Sequence, residues 1–214
     1  MIVGKNYGIN LMKDETPLAG ATPGEDESGL LLPHLTDRAI RNAVELESIS
    51  QAYDKYVYRS RRKKSGWLTE AFIRQTHSDM LGAIWDWAGK YRQLDLNIGV
   101  PWHSIQEQIK RLCDDFLVWE APQSSMPLIE IAARLQNRLT LIHPFQNGNG
   151  RHARFITDIF FSSRNHPLPK WPQIQIMEAG DGIRNRYIAA MKTADGGDFS
   201  QLGKFISDCI DEKF

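Results

Sequence analysis

The sequence predicts an all-α bundle with one small β-hairpin, and three observations predict it. Apolar residues recur at helical spacing through most of the chain, as in "LTEAFIRQTHSDMLGAIWDWAG", where Phe72, Ile73, Met80, Leu81, Ile84 and Trp85 form a stripe. One segment, "KYRQLDLNIGVPWH", instead alternates Leu94, Leu96 and Ile98 with polar neighbours and ends at Gly99 and Pro101. With 214 residues, 42% of them hydrophobic, and no internal repeat or heptad run, the chain can bury a full core as one domain.

The elements follow in order. Residues 1–35, which include "DETPLAGATPGEDESG", are rich in Gly, Pro, Asp and Glu and read as an extended N-terminal arm. A helix is expected within residues 36–66, capped by Thr36 or Asp37, with Ile40, Val44 and Leu46 as its apolar face. The run "RSRRKK", Arg59 to Lys64, reads as a solvated helix end rather than a nucleic-acid patch. The core is then expected over residues 67–214. Thr69 can cap its first helix and Gly89 can end it; the hairpin at Leu94 to Ile98 follows. Helices are expected at "SIQEQIKRLCDDFLVWE" and "PLIEIAARLQNRLTLIH". The strongly apolar "RHARFITDIFFSS" reads as the central helix. After the Pro-rich "HPLPKWPQ", two amphipathic helices close the chain, "GIRNRYIAAMKTAD" and "DFSQLGKFISDCIDEKF".

Charge and cysteine usage exclude several function classes. The 26 basic residues are matched by 26 acidic ones, so no global field recruits nucleic acid or an anionic membrane. Cys113 and Cys209 are too few for a disulfide framework or a cysteine zinc site and read as buried thiols, which fits a reducing, cytoplasmic setting. The N-terminus has no signal-like apolar stretch, and no apolar run approaches the roughly 18 residues that a membrane span requires.

The chemistry concentrates in "LIHPFQNGNGRHARF". Pro144 has no amide hydrogen and biases His143 away from helical torsions, so a helix should end there. Gly148 and Gly150 allow left-handed torsions, which let successive N–H groups turn toward one point. A helix starting near Arg151 adds its unpaired amides and positive dipole end. Arg151 and Arg154, three residues apart, can fork two phosphates. His143, on the other side of the loop, can take a proton from a hydroxyl attacking one of those phosphates. The same residues also make an ordinary Asn-Gly connector beside a structural histidine. Neither a P-loop nor a strand-led G-x-G-x-x-G is present.

"HPFQNGNGRHAR" resembles the signature of the Fic (Fic/Doc) family, His-x-Phe-x-(Asp/Glu)-Gly-Asn-Gly-Arg-x-x-Arg, with Asn147 in place of the usual acid. The similarity extends to "LTEAFIRQTHSDMLGAIWDWAGKYR" and "RNRYIAAMKTADGGDFSQLGKFI", so that it spans Thr69 to Ile206. The arm together with Asn147 is also similar to a subgroup called mobile mystery protein B. The resemblance implies a Fic-type helical bundle that transfers AMP from ATP to a Ser, Thr or Tyr hydroxyl of a target protein. It implies His143 as general base and Phe145 as loop anchor. Gly148, Asn149 and Gly150 would form the anion hole, and Arg151 and Arg154 would hold the distal phosphates. The hairpin residues Leu94, Asp95, Leu96, Asn97 and Ile98 would form the flap that docks the target; Trp102 and His103 fit that clamp, core packing or a helix cap equally well. In the family pattern the residue at Asn147 binds Mg²⁺, and an amide without charge implies weakly held metal or a binding-only member. Glu47 in "AVELES" is the nearest match to the family's inhibitory glutamate and would pair with Arg154. A Doc-like kinase carries Lys where Gly150 stands, which argues against that branch. An antitoxin or self-association would be a further partner.

Overall fold

The computed structural model describes residues 29–32, 38–59, 66–172, 176 and 182–213. The element with the clearest local cause is Glu70–Leu81 (α2). Thr69, extended at φ −129° and ψ 160°, places its hydroxyl to accept the Phe72 N–H at 3.1 Å, which satisfies one amide that helix geometry leaves without a partner. Behind that cap, Ile73, Thr76, His77, Met80 and Leu81 fall on the buried side. The helix stops at Leu81 rather than Gly89, and residues 82–89 run as successive turns that seat Ile84, Trp85 and Ala88 in the core.

Ahead of α2 lies Arg38–Tyr53 (α1), which widens without a break into a π-helical turn at Asp54–Tyr58, where Arg59 N–H donates to Asp54 O at 3.0 Å. Its buried side differs from the expected one. Val44 packs on the core, but Ile40 and Leu46 are 50% and 46% exposed, whereas Arg41 and Ala52 are buried. The inward line runs through Arg41, Glu45, Ile49, Ala52 and Tyr56, so a helical stripe exists, but its first turns carry charge because they face polar groups. The expected Thr36 or Asp37 cap and the basic run from Ser60 to Lys64 lie outside the described residues, as does the arm apart from residues 29–32. Within it, Leu30 forms an antiparallel bridge with Trp85; Leu31 N–H donates to Ile84 O at 2.7 Å and Asp86 N–H to Gly29 O at 2.9 Å.

The expected hairpin does not form. Residues 93–100 run as bends, and the Leu30–Trp85 contact is the β-bridge found among the described residues. Alternation marks a strand when one set of side chains is buried; here Leu94 is 75% exposed and Ile98 37%, so no buried face fixes a register. A 3-10 turn, Trp102–Ser104, leads into Ile105–Trp119 (α3), and Asp95 Oδ1 accepts the Trp102 N–H at 2.8 Å. Trp102 and His103 are exposed on that turn.

Leu128–Ile142 (α4) and Asn149–Ser163 (α5) make the centre of the bundle, with Gly182–Asp195 (α6) and Ser200–Ile210 (α7) closing it. Every residue from His152 to Phe161 is buried. Phe155, Phe160 and Phe161 are each fully sequestered, contributing on the order of 1.5–3 kcal/mol apiece relative to exposure. The Pro-rich connector is pinned from both sides: Trp171 Nε1–H donates to Asp158 Oδ1 at 2.8 Å, and Lys170 N–H to Cys209 O at 2.9 Å. Both cysteines are free, and burial raises the thiols to about 11 for Cys113 and about 12 for Cys209, so both stay protonated at neutral pH. Among the described residues no helix is long and apolar enough to cross a membrane.

Candidate active site

Helix α4 ends where Pro144 requires it to. His143 takes a left-handed conformation, φ 51° and ψ 59°, unusual for a residue with a Cβ, while its N–H still donates to Leu139 O at 3.2 Å. Its ring is nearly enclosed, at 6% exposure. A carbonyl can only accept, so the contact of Nδ1 with Thr140 O at 3.4 Å requires Nδ1 to carry the proton. Nε2 is then left with its lone pair. Burial, aided by the Arg92 charge and opposed by the Thr140 bond, lowers His143 to about 4, so the ring is neutral at physiological pH.

The loop beyond His143 is held by side chains at each turn. Asn149 Oδ1 accepts the Phe145 N–H at 2.9 Å, and Asn149 Nδ2 donates to Phe145 O at 2.8 Å, satisfying both main-chain polar groups of one buried residue. The Phe145 ring stacks on His77 with centroids 3.7 Å apart. His77 Nδ1 accepts the Gly89 N–H at 3.0 Å, so its Nε2 is the protonated nitrogen and donates to Asn147 O, also at 3.0 Å. Burial lowers His77 to about 3, which keeps that tautomer neutral. Gly148 has φ 76°, where a side chain is strained, and a Cβ there would stand 2.7 Å from Leu81 Cδ1. Gly150 does not share that freedom: it lies in the first turn of α5 with helical torsions. The first helical bond of α5 runs from His152 N–H to Gly148 O at 2.9 Å, which places the amides of Asn149, Gly150 and Arg151 ahead of the ladder at the positive end of the dipole.

The two arginines are not equivalent. Arg151 is 31% exposed at its side chain and pairs with Glu45 at 2.6 Å; Glu45 also accepts the Trp85 Nε1–H at 2.6 Å. Arg154 is buried, one turn before Asp158, whose carboxyl takes hydrogen bonds from Tyr53 and Trp171. The acid that reaches Arg151 is therefore Glu45. Glu47, expected to pair with Arg154, is exposed and accepts a hydrogen bond from Gln51 instead.

Asn147 keeps its side chain on its own loop, where Oδ1 accepts the Gly148 N–H at 2.6 Å. Among the described residues no group of three His, Cys, Asp or Glu side chains could hold a metal ion. Asn147 brings no charge, and Glu45 is occupied by Arg151 and Trp85, so neither side chain offers magnesium a free carboxylate. The groove of about 730 Å³ lined by Arg111, Asp115, Arg138, Leu141 and Asp195 includes no residue from 143 to 154 and is not part of the site.

Of the flap residues, Leu94, Asp95, Leu96, Asn97 and Ile98 lie on an irregular segment anchored beside His143. Arg92 N–H donates to Pro144 O at 3.0 Å, and the Arg92 Nε–H to His143 O at 2.8 Å. Three residues that the sequence reading missed thus organise the site: Arg92, His77 and Glu45. His77 had a signal, since it lies four residues after Ile73 and four before Leu81, on the buried line of α2.

Residues 67–161 match the Fic/DOC family. They contain α2 through most of α5, with the flap and the whole 143–154 loop. A protein adenylyltransferase fic-1 of Caenorhabditis briggsae is 29% identical over 122 residues, covering 56% of this chain and 22% of that protein. The protein adenylyltransferase Fic of Nematostella vectensis is 25% identical over 209 residues, covering 96% and 46%. The chain therefore spans less than half the length of these curated relatives. The solved structure of Caenorhabditis elegans Fic-1 superposes with a TM-score of 0.63 at 23% identity, over 85% of this chain and 53% of that one, which shows a shared fold.

Proposed function

We propose that this chain is a protein adenylyltransferase, transferring AMP from ATP to a Ser, Thr or Tyr hydroxyl of a target protein. The observation that carries the reading is the placement of a neutral His143, with an unprotonated Nε2, directly ahead of a left-handed glycine and the amide end of α5. The hydroxyl oxygen attacks the α-phosphorus, the bond to the bridging oxygen of pyrophosphate breaks, and the hydroxyl proton goes to His143 Nε2. The amides of Asn149 to Arg151 face the charge that builds on the phosphoryl oxygens. Arg151 and Arg154 hold the distal phosphates, and Arg151 must leave Glu45 to do so. Glu45 restrains Arg151 at rest, and an antitoxin or a second copy that displaced α1 would release it. The target lies along residues 93–98, its hydroxyl presented to His143. Magnesium chemistry has no carboxylate to rest on at Asn147, and no step is assigned to it.

A second reading is favoured by the Asn147 side chain, turned onto Gly148 N–H: a nucleotide- or peptide-binding module without turnover. Incubation of the protein and of His143→Ala with α-³²P- and γ-³²P-labelled ATP in a cell lysate separates the readings. His143-dependent α-label on a protein supports AMP transfer, γ-label a kinase, and absence of label the binding module.

A further inference from the structure

Arg92 is 6% exposed, and its guanidinium makes three bonds to main-chain carbonyls. Nε–H donates to His143 O at 2.8 Å, Nη1–H to Leu94 O at 2.9 Å, and Nη2–H to Val100 O. Its own backbone N–H donates to Pro144 O at 3.0 Å, and Val100 N–H donates to Ile142 O at 3.4 Å. One side chain therefore holds both ends of the flap and the carbonyl of the residue that carries the base. The fit between them is tight: Gly99 has φ 100°, and a Cβ there would stand 2.6 Å from His143 Cβ and 2.8 Å from Arg92 Nη2. Between these fixed ends, Leu94 and Ile98 are exposed.

Resting on the AMP-transfer reading of this site, we infer that Arg92 is a positioning residue that couples a target segment on residues 93–98 to the orientation of His143. A main chain that docks there and shifts the Leu94 or Val100 carbonyl moves the guanidinium, and the guanidinium moves the His143 carbonyl. His143, held at a positive φ, has its peptide direction set by that bond, so a small displacement at the flap becomes a rotation of the base. The contact also bears on the ring electrostatically. Arg92 is the charged neighbour that lowers His143, and the Asp95 carboxylate, from the flap, faces Arg92 Nη1 at 3.8 Å; Thr140 O, from α4, acts on His143 in the opposite direction to Arg92, and Gly99 is uncharged.

The test compares Arg92→Lys, which keeps the charge but as a point donor cannot span three carbonyls, with Arg92→Gln, which removes it. Nucleotide affinity should be unchanged in both, because Arg92 touches neither the α5 amides nor the arginines. The kcat for AMP transfer should fall about 10²-fold in both, and hydrogen exchange at the amides of residues 93–100 should accelerate. The acid limb of kcat/KM should move to higher pH in Arg92→Gln alone. Nucleotide affinity falling in step with kcat, or an unchanged kcat beside faster exchange, overturns the coupling. If Arg92→Gln does not fold, Leu94→Ala placed in the wild type and in Arg92→Lys gives the answer: it should lower kcat by a larger factor in the first than in the second. Equal losses in both would refute the proposal. The NMR titration of the His143 ring reads the same contact without turnover. If the wild type transfers no AMP, the functional reading fails by itself; a His143 titration unmoved by Arg92→Gln then refutes the Arg92 contact as well.

Discussion

The loop at 143–154 and the flap at 93–100 lie side by side and are built on opposite principles. In the loop, Asn149 satisfies both main-chain polar groups of Phe145, His77 spends both ring nitrogens, and Gly148 supplies the torsion that no side chain fits. In the flap, Arg92 and Asp95 hold the ends while Leu94 and Ile98 face outward. Electrostatic preorganisation needs fixed donors where charge develops, whereas docking of an extended partner needs backbone that is not already paired. On the proposed function, the nucleotide end is prebuilt and the target end is left adaptable.

The largest expected effect breaks the loop at its base. His143→Ala should lower AMP transfer by about 10²–10⁴-fold with nucleotide binding retained, as read by label transfer beside calorimetric titration with ATP. Acid should damage the loop next. His77 and His143 are held neutral at about 3 and about 4, and burial takes His152 well below the ordinary range. The unfolded chain binds those protons first, so stability is present above pH 6.5 and is lost as pH falls toward 4, by up to about 1.4 kcal/mol per pH unit for each histidine. Asp158 and Glu120, each raised by burial to about 7, oppose this by up to one proton each as pH falls through 7, since their folded forms are the better proton acceptors, which makes the net fall smaller than the three histidines alone would give. Urea midpoints between pH 7 and 5 should fall, and His77→Gln should remove about one proton from the slope.

Smaller changes sharpen the contrast. Asn149→Ala leaves the Phe145 N–H and carbonyl buried without partners and should cost roughly 1–3 kcal/mol in denaturant unfolding. Glu45→Gln frees Arg151 while still offering an oxygen to Trp85, and nucleotide affinity should rise by up to about tenfold in a binding titration, equivalent to about 1.4 kcal/mol. Leu94→Ala should leave stability within about 0.5 kcal/mol, because the side chain is 75% exposed, and should weaken only transfer to a protein target. A loss of nucleotide binding in that variant would dissolve the distinction between the two regions.

What could be read in the sequence follows the same divide. The loop's parts lie within twelve consecutive residues, so Pro144, Gly148 and the start of α5 could be argued locally. The partners that brace it could not: His77 meets Asn147 across 70 positions, Arg92 meets His143 across 51, and Glu45 meets Arg151 across 106. Helices α2 to α5 were legible because their stripes are apolar. The inward face of α1 was misjudged because Arg41 and Glu45 occupy it, and charge on a buried line hides the period that hydrophobicity would reveal. The flap was misjudged for a related reason, since its alternation has no core to face.

The Gly99 approach to His143 also sets the terms for redesign. If the proposed function holds, a library meant to redirect this protein to another polypeptide can randomise positions 93–98, but it should keep 92 and 99 constant, because a methyl group at 99 already collides with the His143 side chain.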